Sequence, residues 1–103
     1  MGSAQYGRLV LDGEDVTGAH GIEPQSLLWS EDGTRLAAQE LVSWYDAPKT
    51  RVVVFDTRQR ARIAASRPRT GLGNPVRFEN GVLIYRHRHE QGERELRLII
   101  DES

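Results

Sequence analysis

The run Arg51-Val52-Val53-Val54-Phe55-Asp56 constrains this chain more than any other stretch. Its valines and phenylalanine favour extended backbone, in which successive side chains point to opposite faces. The apolar character does not alternate, so both faces of the strand need cover and the run predicts a central strand. A chain of 103 residues, 38% apolar and 28% charged, has the size and balance of one globular domain with a modest core. It has no cysteine, which excludes disulfides, thiolate zinc sites and thiol chemistry.

Shorter runs on either side read as strands separated by turn residues. In residues 6–12, Leu9 and Leu11 share one face and Arg8, Val10 and Asp12 the other, and a return strand follows Gly13 at 14–17. Gly18, Gly21 and Pro24 mark a loop that carries His20. Residues 26–30 and 34–42 flank the hairpin signal Glu31-Asp32-Gly33. Residues 43–50 read as a loop bearing Trp44 and Tyr45 beside Asp46 and Pro48. Past a turn at 56–59, residues 60–66 set Ala61, Ile63 and Ala65 on one face and Arg60 and Arg62 on a solvated one. Residues 67–74 are expected to be a loop, and strands at 76–79, 82–88 and 94–101 complete a meander through an Asn80-Gly81 turn and a turn at 90–93.

Asp12, Asp56 and Asp101 each close an apolar strand at nearly constant spacing, the signature of an internal repeat. Trp29-Ser30-Glu31-Asp32-Gly33-Thr34-Arg35-Leu36-Ala37 resembles the TolB-type propeller repeat, in which Trp-Ser-Pro-Asp-Gly leads into an apolar second strand; Glu31 stands in place of the Pro. Val54-Phe55-Asp56 is similar to the Trp-Asp end of the third strand in WD-repeat blades, with Phe55 in place of the Trp. The resemblance implies repeat units at approximately 6–24, 25–66 and 75–101 of a single all-β domain spanning 1–103. It makes Trp29 equivalent to Phe78, and Val53–Phe55 equivalent to Leu98–Ile100, all as core positions. Propellers close with roughly 4 to 8 blades, and about two are present here. The expected architecture is therefore an antiparallel meander of propeller-like four-stranded units, closed as a small two-sheet sandwich or propeller fragment. Self-association into a homodimer is a second way to cover its exposed edges.

The charge is strongly segregated. Residues 1–48 set Asp12, Glu14, Asp15, Glu23, Glu31, Asp32, Glu40 and Asp46 against Arg8 and Arg35, whereas residues 49–88 set Lys49 and nine arginines against Asp56 and Glu79. Cross-strand neutralisation accounts for such a division. The alternative is nucleic-acid or acidic-ligand binding through the Arg-rich segment 51–88, with Arg58, Arg60, Arg62, Arg67 and Arg69 on phosphates. The net charge of -1 and the scarcity of aromatics along that run argue against nucleic acid.

No catalytic group declares itself. Gly-x-Ser-x-Gly is absent, and Gly71-Leu72-Gly73-Asn74 is too short for a dinucleotide fingerprint. His87 and His89 fall on one face of a strand, with Glu90, Glu93 or His20 as a third ligand, and a metal-dependent enzyme on that pair is a further alternative. The leading expectation is a non-enzymatic protein-binding module without cofactor or metal, as a bacterial accessory or immunity-type protein. In blade geometry the loop after the second strand and the loop joining blades open on one side. The resemblance thus collects Trp44, Tyr45, Asp46, Lys49, Arg67, Arg69, His87 and His89 as a partner-binding face, rich in the Trp, Tyr and Arg of binding hot spots. Residues 1–4 lack the basic start of a signal peptide, and no apolar stretch approaches the ~20 residues of a membrane span, so a cytoplasmic protein with no membrane partner is expected.

Overall fold

The computed structural model describes residues 6–101 apart from 12, 19, 46 and 91; Asp12 of the recurring aspartates thus lies outside the described residues. The described chain is all-β, with strands β1 Val10–Leu11, β2 Glu14–Asp15, β3 Leu28–Trp29, β4 Arg35–Ser43, β5 Lys49–Asp56, β6 Ala61–Ala65, β7 Arg69–Thr70, β8 Leu72–Glu79, β9 Val82–His89 and β10 Gly92–Ile99, and one 3-10 turn at Pro24–Ser26. They form three antiparallel sheets: a β1-β2 ribbon, a five-stranded sheet ordered β3-β4-β5-β6 with β7 on the start of β5, and a three-stranded sheet ordered β10-β9-β8. Residues 21–23 prolong the β3 side of β4, where Leu41 N–H donates to the Gly21 carbonyl and Glu23 N–H to the Gln39 carbonyl, each at 3.0 Å.

The two-faced apolar pattern of β5 is explained by its place in the middle of these layers. The register pairs Leu36 with Phe55, Ala37 with Val54 and Ala38 with Val53. Leu36, Ala38, Val53 and Phe55 lie against Leu11 and Ile22 of the N-terminal segment, with Leu9 and Val16 at its margin. Ala37, Val52 and Val54 on the other face pack with Leu83 and Tyr85 of β9 and with Phe78, Leu96 and Leu98. Each fully buried side chain of this size contributes about 1.5–3 kcal/mol. The alanines at the centre of β4 leave room for the valines of β5 on both sides.

The turns follow the local chemistry. Asp32 accepts hydrogen bonds from the Thr34 hydroxyl, the Thr34 N–H and the Ser30 hydroxyl, and these hold its carboxyl down to about 2. Asn80 and Gly81 both take left-handed backbone, with φ of 47° and 77°, as a two-residue hairpin requires.

Four expectations are corrected. Trp29 is 54% exposed rather than core. It shares a face with Leu36 at the sheet margin, where the two-residue strands of the β1-β2 ribbon are too short to cover it. In β10 only one face is covered, so Leu96 and Leu98 turn inward and Ile99 points out, 61% exposed. The segment 67–74 is not a loop: β7 pairs with β5, and β8 begins at Leu72 and tolerates Pro75 beside a register shift.

The fourth concerns Arg62, which faces inward. A register shift in the β5-β6 pairing places it opposite Phe55, with its guanidinium 5.8 Å over that ring. There it meets Glu40, whose side chain is 2% exposed; Arg62 Nη2 lies 2.6 Å from Glu40 Oε2 and Arg51 Nε 2.5 Å from Oε1. Gly18 closes over the carboxylate so tightly that a Cβ there would overlap it. Burial works to raise the Glu40 pKa, but the hydrogen bonds from Arg62 and Arg51 outweigh it and hold the carboxyl below its usual range.

Candidate functional site

At the end of the sheets where β4 turns into β5, buried polar side chains of the central sheet grip the incoming strand. Thr50 donates its hydroxyl proton to the Gly71 carbonyl at 2.7 Å and accepts from Gly73 N–H at 3.2 Å, while Gln39 Nε2 donates to the Gly73 carbonyl at 2.9 Å. Gly71 N–H donates to the Pro48 carbonyl at 2.9 Å, which ties this segment to the β4-β5 turn. Gly71 has φ of 110°, and a Cβ there would overlap the Arg88 carbonyl oxygen of β9. Gly71→Ala is expected to cost roughly 2 kcal/mol or more, read as a lowered midpoint in chemical denaturation; an unchanged midpoint would show that β9 yields without cost.

Beside this grip lies a cleft of about 480 Å³ lined by Arg69, Thr70, His87, His89, Gly92, Glu93 and Arg94. A second, more apolar hollow of about 290 Å³ adjoins it across Thr70 and His89 and takes in Ala47, Pro48, Leu72 and Glu90. One ring nitrogen of His87 is 2.7 Å from the Thr70 carbonyl, so β9 is latched to β7 across the floor of the cleft. Glu93 faces Arg88 Nη2 at 3.3 Å and Arg86 Nη1 at 3.8 Å. Among the described residues, Arg69 and Arg94 pair with no carboxylate, so the cleft presents basic groups to solvent.

Of the residues singled out in the sequence, Arg69, His87 and His89 come together in this cleft, and Lys49 stands next to it, opposite Thr70 in register. Arg67 is exposed on the approach to β7 and lines neither hollow. Trp44 and Tyr45 lie in the β4-β5 turn at the same end. The Trp44 ring, 54% exposed, meets Tyr6 edge-on at 5.8 Å, whereas Tyr45 is 85% exposed. Asp46 lies outside the described residues. His20 is exposed and lines neither hollow. No group of three or more potential metal-ligating side chains occurs among the described residues.

Arg94 was missed in the sequence, although a signal for it existed. Once Gly92 is paired with His89 across the turn, Arg94 falls directly opposite His87. At the other end, Trp29 forms the wall of an apolar groove of about 310 Å³ with Leu9, Val10, Leu11, Leu27, Leu36 and Thr57. No described helix is long and apolar enough to cross a membrane. Comparison with protein-family models, with curated proteins and with solved structures gives no match to this chain.

Proposed function

We propose that this chain is a non-enzymatic protein-binding module, in an accessory or immunity-type role in bacteria, that captures an acidic surface of another protein with the end formed by the β4-β5 turn, β7 and the β9-β10 turn. The observation that carries this reading is Tyr45, 85% exposed at the same end as a cleft holding Arg69 and Arg94 without carboxylate partners among the described residues. An exposed aromatic at the same end as guanidiniums that pair with no carboxylate among the described residues is the composition from which hot spots are built. The arrangement of β3-β4-β5-β6 and β8-β9-β10 as two meanders in chain order supports treating them as blade-like repeats that present their loops together.

Most of the remaining charge of the Arg-rich segment is paired within the molecule, Arg58 and Arg67 being the exposed arginines outside the cleft that make no ion pair among the described residues. Arg51 and Arg62 sit on Glu40, Arg60 lies 3.6 Å from Glu14, and Arg77 bonds Glu79, which favours a localised basic cleft over a phosphate-tracking stripe. Tyr45→Ala is the cleanest test because the ring supports nothing else. The variant should keep the wild-type denaturation midpoint while weakening partner capture from native cell extract by roughly 2 kcal/mol or more. Equal capture by the variant would remove Tyr45, and with it the anchor of the face.

A further inference from the structure

The sheet edges of this molecule differ in how they are protected. Edge β3 is two residues long, β6 is interrupted by a register shift, and β8 carries Pro75 and a shift between Pro75 and Arg77. These are the ordinary devices that stop an edge from recruiting another strand. Strand β10 is neither short, shifted nor proline-bearing, and its protection is confined to the charges of Glu93, Arg94, Glu95 and Arg97: it pairs with β9 in unbroken register from Gly92 to Ile99, and no described strand occupies its other side. Its side chains instead carry a pattern that fits the same strand turned around.

We infer that two copies of this chain associate through β10, pairing antiparallel about a two-fold axis at Leu96 and joining their three-stranded sheets into one six-stranded sheet. A two-fold pairing sets each residue opposite the one equally far on the other side of the axis. An axis at Glu95 would face Glu95 with itself, and an axis at Arg97 would face Arg97 with itself; both registers oppose like charges. With the axis at Leu96, Glu95 of each copy faces Arg97 of the other, and the Leu96 side chains meet on the buried side where each already packs with Leu83 and Tyr85. Arg97 makes no ion pair among the described residues, and Glu95 reaches only Arg77 at 3.8 Å, so both are open to a second copy. Because the strands run antiparallel, the two Arg69–Arg94 clefts fall on opposite sides of the axis, with Arg94 of each copy opposite Leu98 of the other and Glu93 opposite Ile99, so that Gly92, Glu93 and Arg94 belong to both the pairing strand and the cleft.

The test is sedimentation equilibrium of the full chain over a wide concentration range, with circular dichroism to show that each variant is folded. Wild type should approach twice the 11.6 kDa chain mass as concentration rises. Glu95→Arg and Arg97→Glu should each weaken dimerisation by tenfold or more while leaving the spectrum unchanged, since both side chains lie on the exposed face. Combining the two exchanges should restore the wild-type dimer. A wild-type chain that stays monomeric, single variants that dimerise as wild type, or a double variant that fails to recover would each overturn the inference.

Discussion

Val54→Asp is expected to leave the chain unfolded or nearly so at 25 °C. Val54 is fully buried, facing Ala37 in register and packed with the β8-β10 sheet. A carboxylate there meets no donor and no water, and the lost methyl contacts add to the penalty, for a total of roughly 4 kcal/mol or more. Domains of this size have about 5–15 kcal/mol in all. Ile99→Asp provides the control, because that side chain points to solvent from the outer face of β10 and the exchange should stay within about 0.5 kcal/mol. Far-ultraviolet circular dichroism with a denaturant titration separates the two. A Val54→Asp protein with the wild-type midpoint would show that β5 is not covered on that face.

Glu40→Ala should cost about 3 kcal/mol, the lower part of the range for removing one member of a buried charge cluster. The low figure reflects Arg51 and Arg62, whose side chains are each 30% exposed and recover some hydration when Glu40 is lost. A pH dependence follows. The folded carboxyl titrates below its unfolded value, so the stabilisation is complete above the unfolded pKa and is lost as pH falls through the folded one. Wild-type stability should therefore decline on acidification below the ordinary carboxylate range, and Glu40→Gln should be less stable at neutral pH with a shallower decline. Parallel curves for the two proteins would mean that other carboxylates carry the acid sensitivity.

What the sequence made legible was local in origin. The valines of β5 announce a doubly covered strand, and Asn80-Gly81 and the Asp32 turn set their own backbone through side-chain chemistry. What stayed hidden depends on pairings between distant residues. A single register shift in the β5-β6 pairing turns Arg62 from an apparent solvent face onto Glu40, and nothing in 60–66 encodes that shift. β7 exists because Thr50 and Pro48 hold the backbone at Gly71, so the segment around it, with Pro68, Gly71 and Gly73, reads as loop until its partner is known. Trp29 fits a core strand by motif and is exposed because its covering ribbon stops short. For the cleft, His87 and His89 were visible by their spacing, whereas Arg94 needed the hairpin register.

Trp29 and Trp44 are equally exposed, at 54%, and β4 separates them by roughly 25 Å of strand. Trp29 thus serves as the far-end control in the most direct test of the proposed binding end. Wild type, Tyr45→Ala, the Arg69→Glu/Arg94→Glu double variant and Trp29→Ala are immobilised in turn, and the proteins that each retains from native extract are quantified by mass spectrometry. A partner should be retained by wild type and by Trp29→Ala, lost from the double variant and depleted on Tyr45→Ala. Retention by all four, or loss on Trp29→Ala alone, would contradict it and move the binding surface away from the cleft.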